Sequence, residues 1–311
     1  MTTASRRYGA RRILAIAVTG ALVFASGGCL SRDKDGTASD NSIRVPRLSA
    51  GQHYVVNPFT QQLMAYDMQT MKPASVSNEA NYLYYGFGSI SGTYTSGNSG
   101  AGGFTVVEIT PSSVKTVLTV DDDEAIFPIA RDTEAVVFLL YTYDSELVET
   151  ARQLVLMTSR GTLEPFTRVT GLVSYGAIVG DVLYYTTADE RGDSYDLWSI
   201  PKQELDAIPR SEEVGLSGGE LYAYHGELFT SDGTNILAGE REYRCSGGCW
   251  FLEDYGVLVR IAPNSLAGLQ LDVIDVDSGE VVHQVPDALG FELDDGVLTT
   301  FCVGAVDRYQ L

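Results

Sequence analysis

The chain has 311 residues, 41 acidic against 21 basic, for a formal charge of −20, or −24 once the four arginines of residues 1–28 are set aside. A surface of that sign repels nucleic acid and anionic lipid headgroups, which excludes a DNA- or RNA-binding protein and direct headgroup binding. Hydrophobic residues make up 44% of the chain, enough for a core, while three histidines at unrelated spacings offer no metal motif.

Residues 1–28 read as a targeting segment. Arg6, Arg7, Arg11 and Arg12 form a basic start, residues 13–24 are an apolar run of 12 residues broken only by Thr19 and Gly20, and residues 25–28 are small. A run of 12 residues is short for a membrane span and suits the core of an export signal. The stretch resembles a bacterial lipoprotein signal, although Ser26 stands where that family usually has leucine. The resemblance implies that Cys29 becomes the first residue and carries a lipid, anchoring the chain to a membrane of the cell envelope with its domain outside the cytoplasm. An ordinary cleaved secretory signal is the alternative. Ser5-Arg6-Arg7 also resembles the start of a twin-arginine signal, without the apolar residues that follow in that family.

Residues 29–42 are small and polar and read as a flexible tether. Residues 43–311 form the domain, which we read as all-β. The unit is clearest at residues 172–200, where LVSYGAIV, the turn Gly180-Asp181, VLYYTTA, a polar loop and DLWSI follow one another. Comparable tight turns stand at His225-Gly226, Tyr255-Gly256 and Asp295-Gly296, and Arg131-Asp132-Thr133 is a glycine-free version. Two-residue hairpin turns need positive φ, which glycine adopts without a Cβ clash.

A third apolar run in each unit centres near Ala65, Val107, Leu156, Trp198, Leu237, Ile274 and Tyr309, at intervals of 35 to 49 residues. Such periods, with about four strands each, predict a β-propeller of about seven four-stranded blades, with six as the alternative. The last unit supplies three runs. Residues 43–48 (IRVPRL) therefore either close it as a fourth strand or begin the first blade. Residues 144–153 are the nearest approach to a helical period and suit one or two turns.

Two phrases, residues 271–282 (LDVIDVDSGEVV) and 63–71 (LMAYDMQTM), resemble the strand, Asp, turn pattern of quinoprotein-type and kelch-like propeller repeats. Relatives of that shape include envelope lipoproteins that act as scaffolds and quinone-dependent dehydrogenases. The units lack the tryptophan that ends many quinoprotein repeats, which argues against a bound quinone. The resemblance is architectural and carries no functional residue across.

Among candidate sites, Cys245 and Cys249 flank Ser-Gly-Gly and are placed to close a small disulfide loop, while Cys302 lies in an apolar strand and reads as a buried thiol. Residues 121–124 (DDDE) and 275–280 (DVDSGE) are weak calcium-loop lookalikes, the first a solvated loop and the second a strand followed by a turn. Arg191-Gly192-Asp193 is an adhesion-type tripeptide short enough to arise by chance. The Gly-rich residues 86–103 lack the Lys-Ser/Thr ending of a phosphate loop and read as a long strand-to-strand connection. Of 18 tyrosines, Tyr84, Tyr85, Tyr184, Tyr185, Tyr222 and Tyr224 fall on the first two runs of their units, which line the channel in propellers. There they would stack on a sugar or grip a peptide, and the competing reading is packing between blades.

No catalytic motif, cofactor motif or metal spacing is present. The sequence therefore predicts a non-enzymatic, membrane-tethered module that binds an envelope protein or a glycan. The alternative is an extracytoplasmic carbohydrate hydrolase or lyase that uses carboxylates at the channel mouth.

Overall fold

The computed structural model describes residues 48–57, 62–75, 93–98, 104–110, 112–132, 135–146, 148–158, 163–204, 207–232, 235–238, 241–244, 249–252, 255–261 and 270–311. These are nearly all β, with no α-helix among the described residues. The described strands form seven antiparallel sheets that follow one another along the chain.

The first sheet holds β1 (Gln52–Asn57), β2 (Gln62–Asp67) and β3 (Lys72–Ser75), and the second β4 (Thr93–Asn98), β5 (Phe104–Thr110) and β6 (Ser113–Thr119). The third holds β7 (Glu124–Arg131), β8 (Ala135–Tyr143), β9 (Glu149–Thr158) and β10 (Leu163–Arg168). The fourth holds β11 (Leu172–Val179), β12 (Val182–Ala188), β13 (Tyr195–Pro201) and β14 (Arg210–Leu216). The fifth holds β15 (Leu221–Tyr224), β16 (Glu227–Ser231), β17 (Asn235–Ala238) and β18 (Arg241–Arg244). The sixth holds β19 (Cys249–Leu252), β20 (Val257–Ile261), β21 (Leu271–Asp275) and β22 (Val281–Val285). The seventh holds β23 (Ala288–Asp294), β24 (Val297–Cys302) and β25 (Ala305–Gln310).

The turns follow from local chemistry. His225 and Gly226 sit at φ 47° and 74°, and Asp295 and Gly296 at 46° and 76°, so both hairpins turn through two left-handed residues. At the glycine-free break, the Asp132 carboxylate accepts the Ala135 N–H at 2.7 Å, an Asx turn in place of a glycine.

Side-chain alternation sends each sheet's two faces into its two neighbours. Ile129, Val137 and Leu154 of the third sheet share a core with Ile178, Leu183 and Ile200 of the fourth. Ala177 and Leu197 meet Leu221 of the fifth. Phe229 and Ile236 then meet Leu258 and Ile274 of the sixth, and Val259 and Val273 meet Ala288 and Leu298 of the seventh. Val106 ties the second sheet to Ile126 and Phe138 of the third, and Tyr54 of the first packs on Val107 of the second. The seventh seam joins the ends: Val55, Met64 and Tyr66 of the first sheet pack on Phe301 of the last. There the Tyr66 hydroxyl reaches the carbonyls of Cys302 and Ala305 at 2.6 and 2.9 Å. The packing order is thus cyclic.

First strands lie against first strands, β7 on β11, β11 on β15, β15 on β19 and β23 on β1. Last strands face outward, as in β14, where all but one of the seven residues are exposed. By contrast β8, between β7 and β9 and covered on both faces, is buried from Ala135 through Leu140.

Several expectations change. The described residues of 144–153 are not helical: β9 begins at Glu149 and pairs with β8, because its apolar residues Leu154, Val155, Leu156 and Met157 are buried between the sheet's neighbours. The Gly-rich connection contains a strand, β4, paired in register with β5. Four sheets have four strands, but the first, second and seventh have three among the described residues. Third runs at Leu156, Trp198, Leu237, Ile274 and Tyr309 fall on third strands, whereas Ala65 and Val107 fall on second strands of three-stranded sheets. The strand proposed at residues 43–48 lies outside the described residues apart from Leu48.

Candidate functional site

One group of polar side chains gathers where the chain enters β15. The connection from β14 ends in Gly218-Gly219-Glu220, and the second glycine is dictated by packing. A Cβ on Gly219 would run into the ring of Tyr195 from β13. The Thr186 hydroxyl of β12 donates to the Gly219 carbonyl at 2.8 Å, and the Ser231 N–H donates to the Glu220 carbonyl at 3.1 Å. These contacts fix the backbone on both sides and set the Glu220 side chain among hydroxyl groups.

The Tyr222 hydroxyl donates to Glu220 Oε2 at 3.2 Å, and the Ser231 hydroxyl is a second partner. Burial pushes the Glu220 carboxyl above the usual carboxylate range, and the two hydroxyl contacts only partly offset it. The Tyr222 phenol is also raised, first by burial, then by the Glu220 charge and hydrogen bond, with a contribution from Tyr175 of β11. Tyr195 is raised by burial, then by Glu220, Asp189 and Asp193. The Glu220 carboxyl is thus hydrogen-bonded by one phenol, that of Tyr222, and its charge reaches a second, that of Tyr195.

The tyrosines singled out from sequence divide. Tyr222 hydrogen-bonds Glu220 through its hydroxyl, while its ring packs on Phe251 of the sixth sheet with centroids 5.7 Å apart. Tyr184 is half-buried against Ala177 and Leu197 in the seam between the fourth and fifth sheets. Tyr185 and Tyr224 are each 3% exposed and pack between sheets, Tyr185 with Leu183 and Ile200, Tyr224 with Phe229 and Phe251. A two-residue period places them on a strand, but the neighbouring sheet decides which face is covered. Tyr84 and Tyr85 lie outside the described residues, as do Cys29 and Cys245. Cys249 is disulfide-bonded. Cys302 is a buried free thiol, pushed up to about 11 mainly by burial.

The calcium lookalikes resolve into turns. Asp275 Oδ1 accepts both the N–H and the hydroxyl of Ser278 at 2.7 Å, which holds its carboxyl below the usual range. In the 121–124 loop the Glu124 N–H donates to the Asp121 carbonyl at 3.0 Å. Arg191-Gly192-Asp193 wraps Asp189, whose Oδ1 accepts the N–H groups of residues 191 and 193, both at 3.0 Å. Among the described residues no three His, Cys, Asp or Glu side chains gather as metal ligands.

Glu220 was missed by sequence reasoning, although an acid directly behind Gly-Gly at the head of an aromatic strand was a readable signal. A second acid shows what a fully compensated carboxylate looks like in this chain. Asp272 is 3% exposed, and its Oδ2 accepts Arg260 Nε and Nη2 at 3.3 and 3.2 Å. Its Oδ1 accepts the amides of Gln270 and Gln284, both at 2.9 Å.

No protein-family model and no curated protein sequence matches the chain. Among solved structures it is similar to TolB from Acinetobacter baumannii, at 15% identity and a TM-score of 0.46, covering 78% of this chain and 73% of that one. It is also similar to an oligogalacturonate lyase in complex with manganese, at 9% identity and a TM-score of 0.42, covering 79% and 81%. A third, oligopeptidase B from Leishmania major, shares 10% identity at a TM-score of 0.40, covering 72% of this chain and 41% of that enzyme. Likeness at this level says nothing of what the chain binds or does.

Proposed function

We propose that the chain is a cell-envelope lipoprotein, exported by residues 1–28 and anchored through Cys29, whose domain is a seven-bladed β-propeller. Its role is to bind an envelope protein or a glycan without turning it over. The reading of each sheet as a blade is supported by the cyclic order of the seams and by the placement of first strands inward. The observation that carries the binding role is the Glu220 cluster at the head of β15, a half-buried carboxyl hydrogen-bonded by the hydroxyls of Tyr222 and Ser231. Ligand sites combine apolar and aromatic walls with a few convergent polar groups, and this cluster has that composition.

The test places a photo-crosslinking amino acid at position 175, with a control at exposed position 214 of β14, in the full chain expressed in intact cells. Capture of one envelope component from position 175 alone supports the reading. Equal capture from both positions, or capture from 214 only, contradicts it.

One observation favours a second reading. Burial raises the Glu220 carboxyl, and that is the direction in which the general acid of glycoside cleavage is shifted. Turnover of an oligosaccharide that is lost in Glu220→Gln would make the chain an extracytoplasmic hydrolase or lyase.

A further inference from the structure

Each sheet ends outward in a strand with one bonded neighbour, and such an edge is a template for a further strand. Proteins guard these edges with charged residues or proline. Among the described residues, every last strand but one follows that rule. Each carries Lys, Arg, Asp or Glu, from Lys72 of β3 and Lys115 of β6 to Asp307 and Arg308 of β25. The exception is β22, whose sequence VVHQV holds none of these residues and no proline. A bulge at Val282 interrupts its pairing with β21, but β3, β6, β10 and β14 carry bulges as well, so β22 stands apart by its lack of charge. Val281 and Val282 are 42% and 44% exposed. His283 is held against the seventh sheet, its Nε2 2.7 Å from Asp307 Oδ2 and its ring stacked on Tyr309. No described strand pairs with the outer edge of β22.

The residues at the two ends of β22 narrow the kind of strand that fits. Glu280 precedes it and Asp287 follows it, both exposed, and Asp277 is exposed in the turn before. A second copy laid antiparallel about His283 would set the Glu280 of each copy beside the Asp287 of the other, and a parallel copy would set each acid beside its own counterpart. Like charges across a strand pair repel, and the net charge of −20 on each copy adds to that repulsion. A segment that is β-branched and uncharged in its middle, with Lys or Arg at both ends, meets valine with apolar surface and acid with cation.

We propose that β22 is a docking edge for an extended segment of a partner polypeptide, uncharged in the middle and basic at both ends, which joins the sixth sheet as a further strand. Main-chain hydrogen bonds along the edge supply the affinity, and the acids at its ends select the partner and fix its register. Since β22 is the last strand of the sixth sheet and Glu220 heads the first strand of the fifth, the proposal does not rest on that cluster.

The experiment is fluorescence anisotropy of the labelled peptide KVTVTVTK with the full chain in detergent micelles, followed by amide hydrogen exchange of the complex. The peptide should bind and slow exchange at residues 281–285. Replacing both its lysines by glutamate should weaken binding by about tenfold. An added strand bonds through one edge only. Methylating the backbone nitrogens on one edge of the peptide should therefore weaken it by about tenfold or more, and methylating those on the other edge should change little. Val282→Lys should weaken binding by about fivefold, while Val214→Lys, at an exposed position on β14, should leave it unchanged. Should Val282→Lys melt below the wild type, the methylated peptides decide, because they leave the protein untouched. No binding of KVTVTVTK, equal binding of the glutamate peptide, equal effects of the two methylations, unchanged binding in Val282→Lys, or slowed exchange at β25 in place of β22 overturns the proposal. A dimer of the chain alone that Val282→Lys dissolves would seat a second copy on this edge and overturn it as well.

Discussion

Thr300 is fully buried on β24, and its Oγ1 has no hydrogen-bond partner among the described residues. A buried hydroxyl without a partner carries its desolvation cost uncompensated, and valine fills the same space without it. Thr300→Val should therefore raise stability by about 1 kcal/mol in denaturant unfolding. Lower stability would mean that the hydroxyl is hydrogen-bonded after all. Glu220 shows the same logic with a charge. Its folded-state carboxyl is raised above the unfolded value, so the native state holds its proton more tightly. Its contribution is fully present below the unfolded value and is lost as pH rises through the raised one. Glu220→Gln should then melt higher than the wild type at pH 7 and alongside it at pH 4. A difference that is the same at both values would contradict this assignment.

At the scale of elements, the ion pair between β20 and β21 also holds the neighbouring sheet. Arg260 Nη1 donates to the Arg244 carbonyl at 2.7 Å, so one guanidinium joins the end of β18 to Asp272. Arg260→Leu leaves the Asp272 carboxylate buried without its cation and should cost about 3–5 kcal/mol. Adding Asp272→Leu should recover most of that loss, and a double variant as unstable as the single one would show that the carboxylate is not the source. Such pairings were not legible in the sequence, because Arg260 and Asp272 meet through strand register. What was legible is local. Gly180-Asp181, His225-Gly226 and Asp295-Gly296 announced hairpins because left-handed residues are chemically marked. The glycine-free break at Arg131-Asp132-Thr133 was marked by Asp132, whose carboxylate takes the Ala135 N–H. The fates of Tyr184, Tyr185, Tyr222 and Tyr224 were not legible. Alternation gives each strand two faces, and only the packing of whole sheets decides which neighbour each face meets, as where Tyr222 and Tyr224 share the face that packs on Phe251.

For the whole molecule, everything proposed of the Glu220 site depends on the sheets forming one ring with first strands inward. The ring rests on the seam between the first and last sheets. There Tyr66 stacks edge-on against Phe301 with centroids 5.1 Å apart, and the Gly304 N–H donates to the Met71 carbonyl at 2.8 Å. That last bond brings two exposed turn residues, Met71 and Val303, side by side from opposite ends of the domain. Spin labels at Met71→Cys and Val303→Cys would read the seam directly. Cys302, a buried thiol pushed up to about 11, resists labelling because the thiolate is the reactive form. The measurement is the distance distribution between the two labels by pulsed dipolar spectroscopy. A closed ring gives a single short, narrow distribution that vanishes on unfolding, and a long or broad distribution in the folded protein would mean that the sheets form an open row with no shared inner edge.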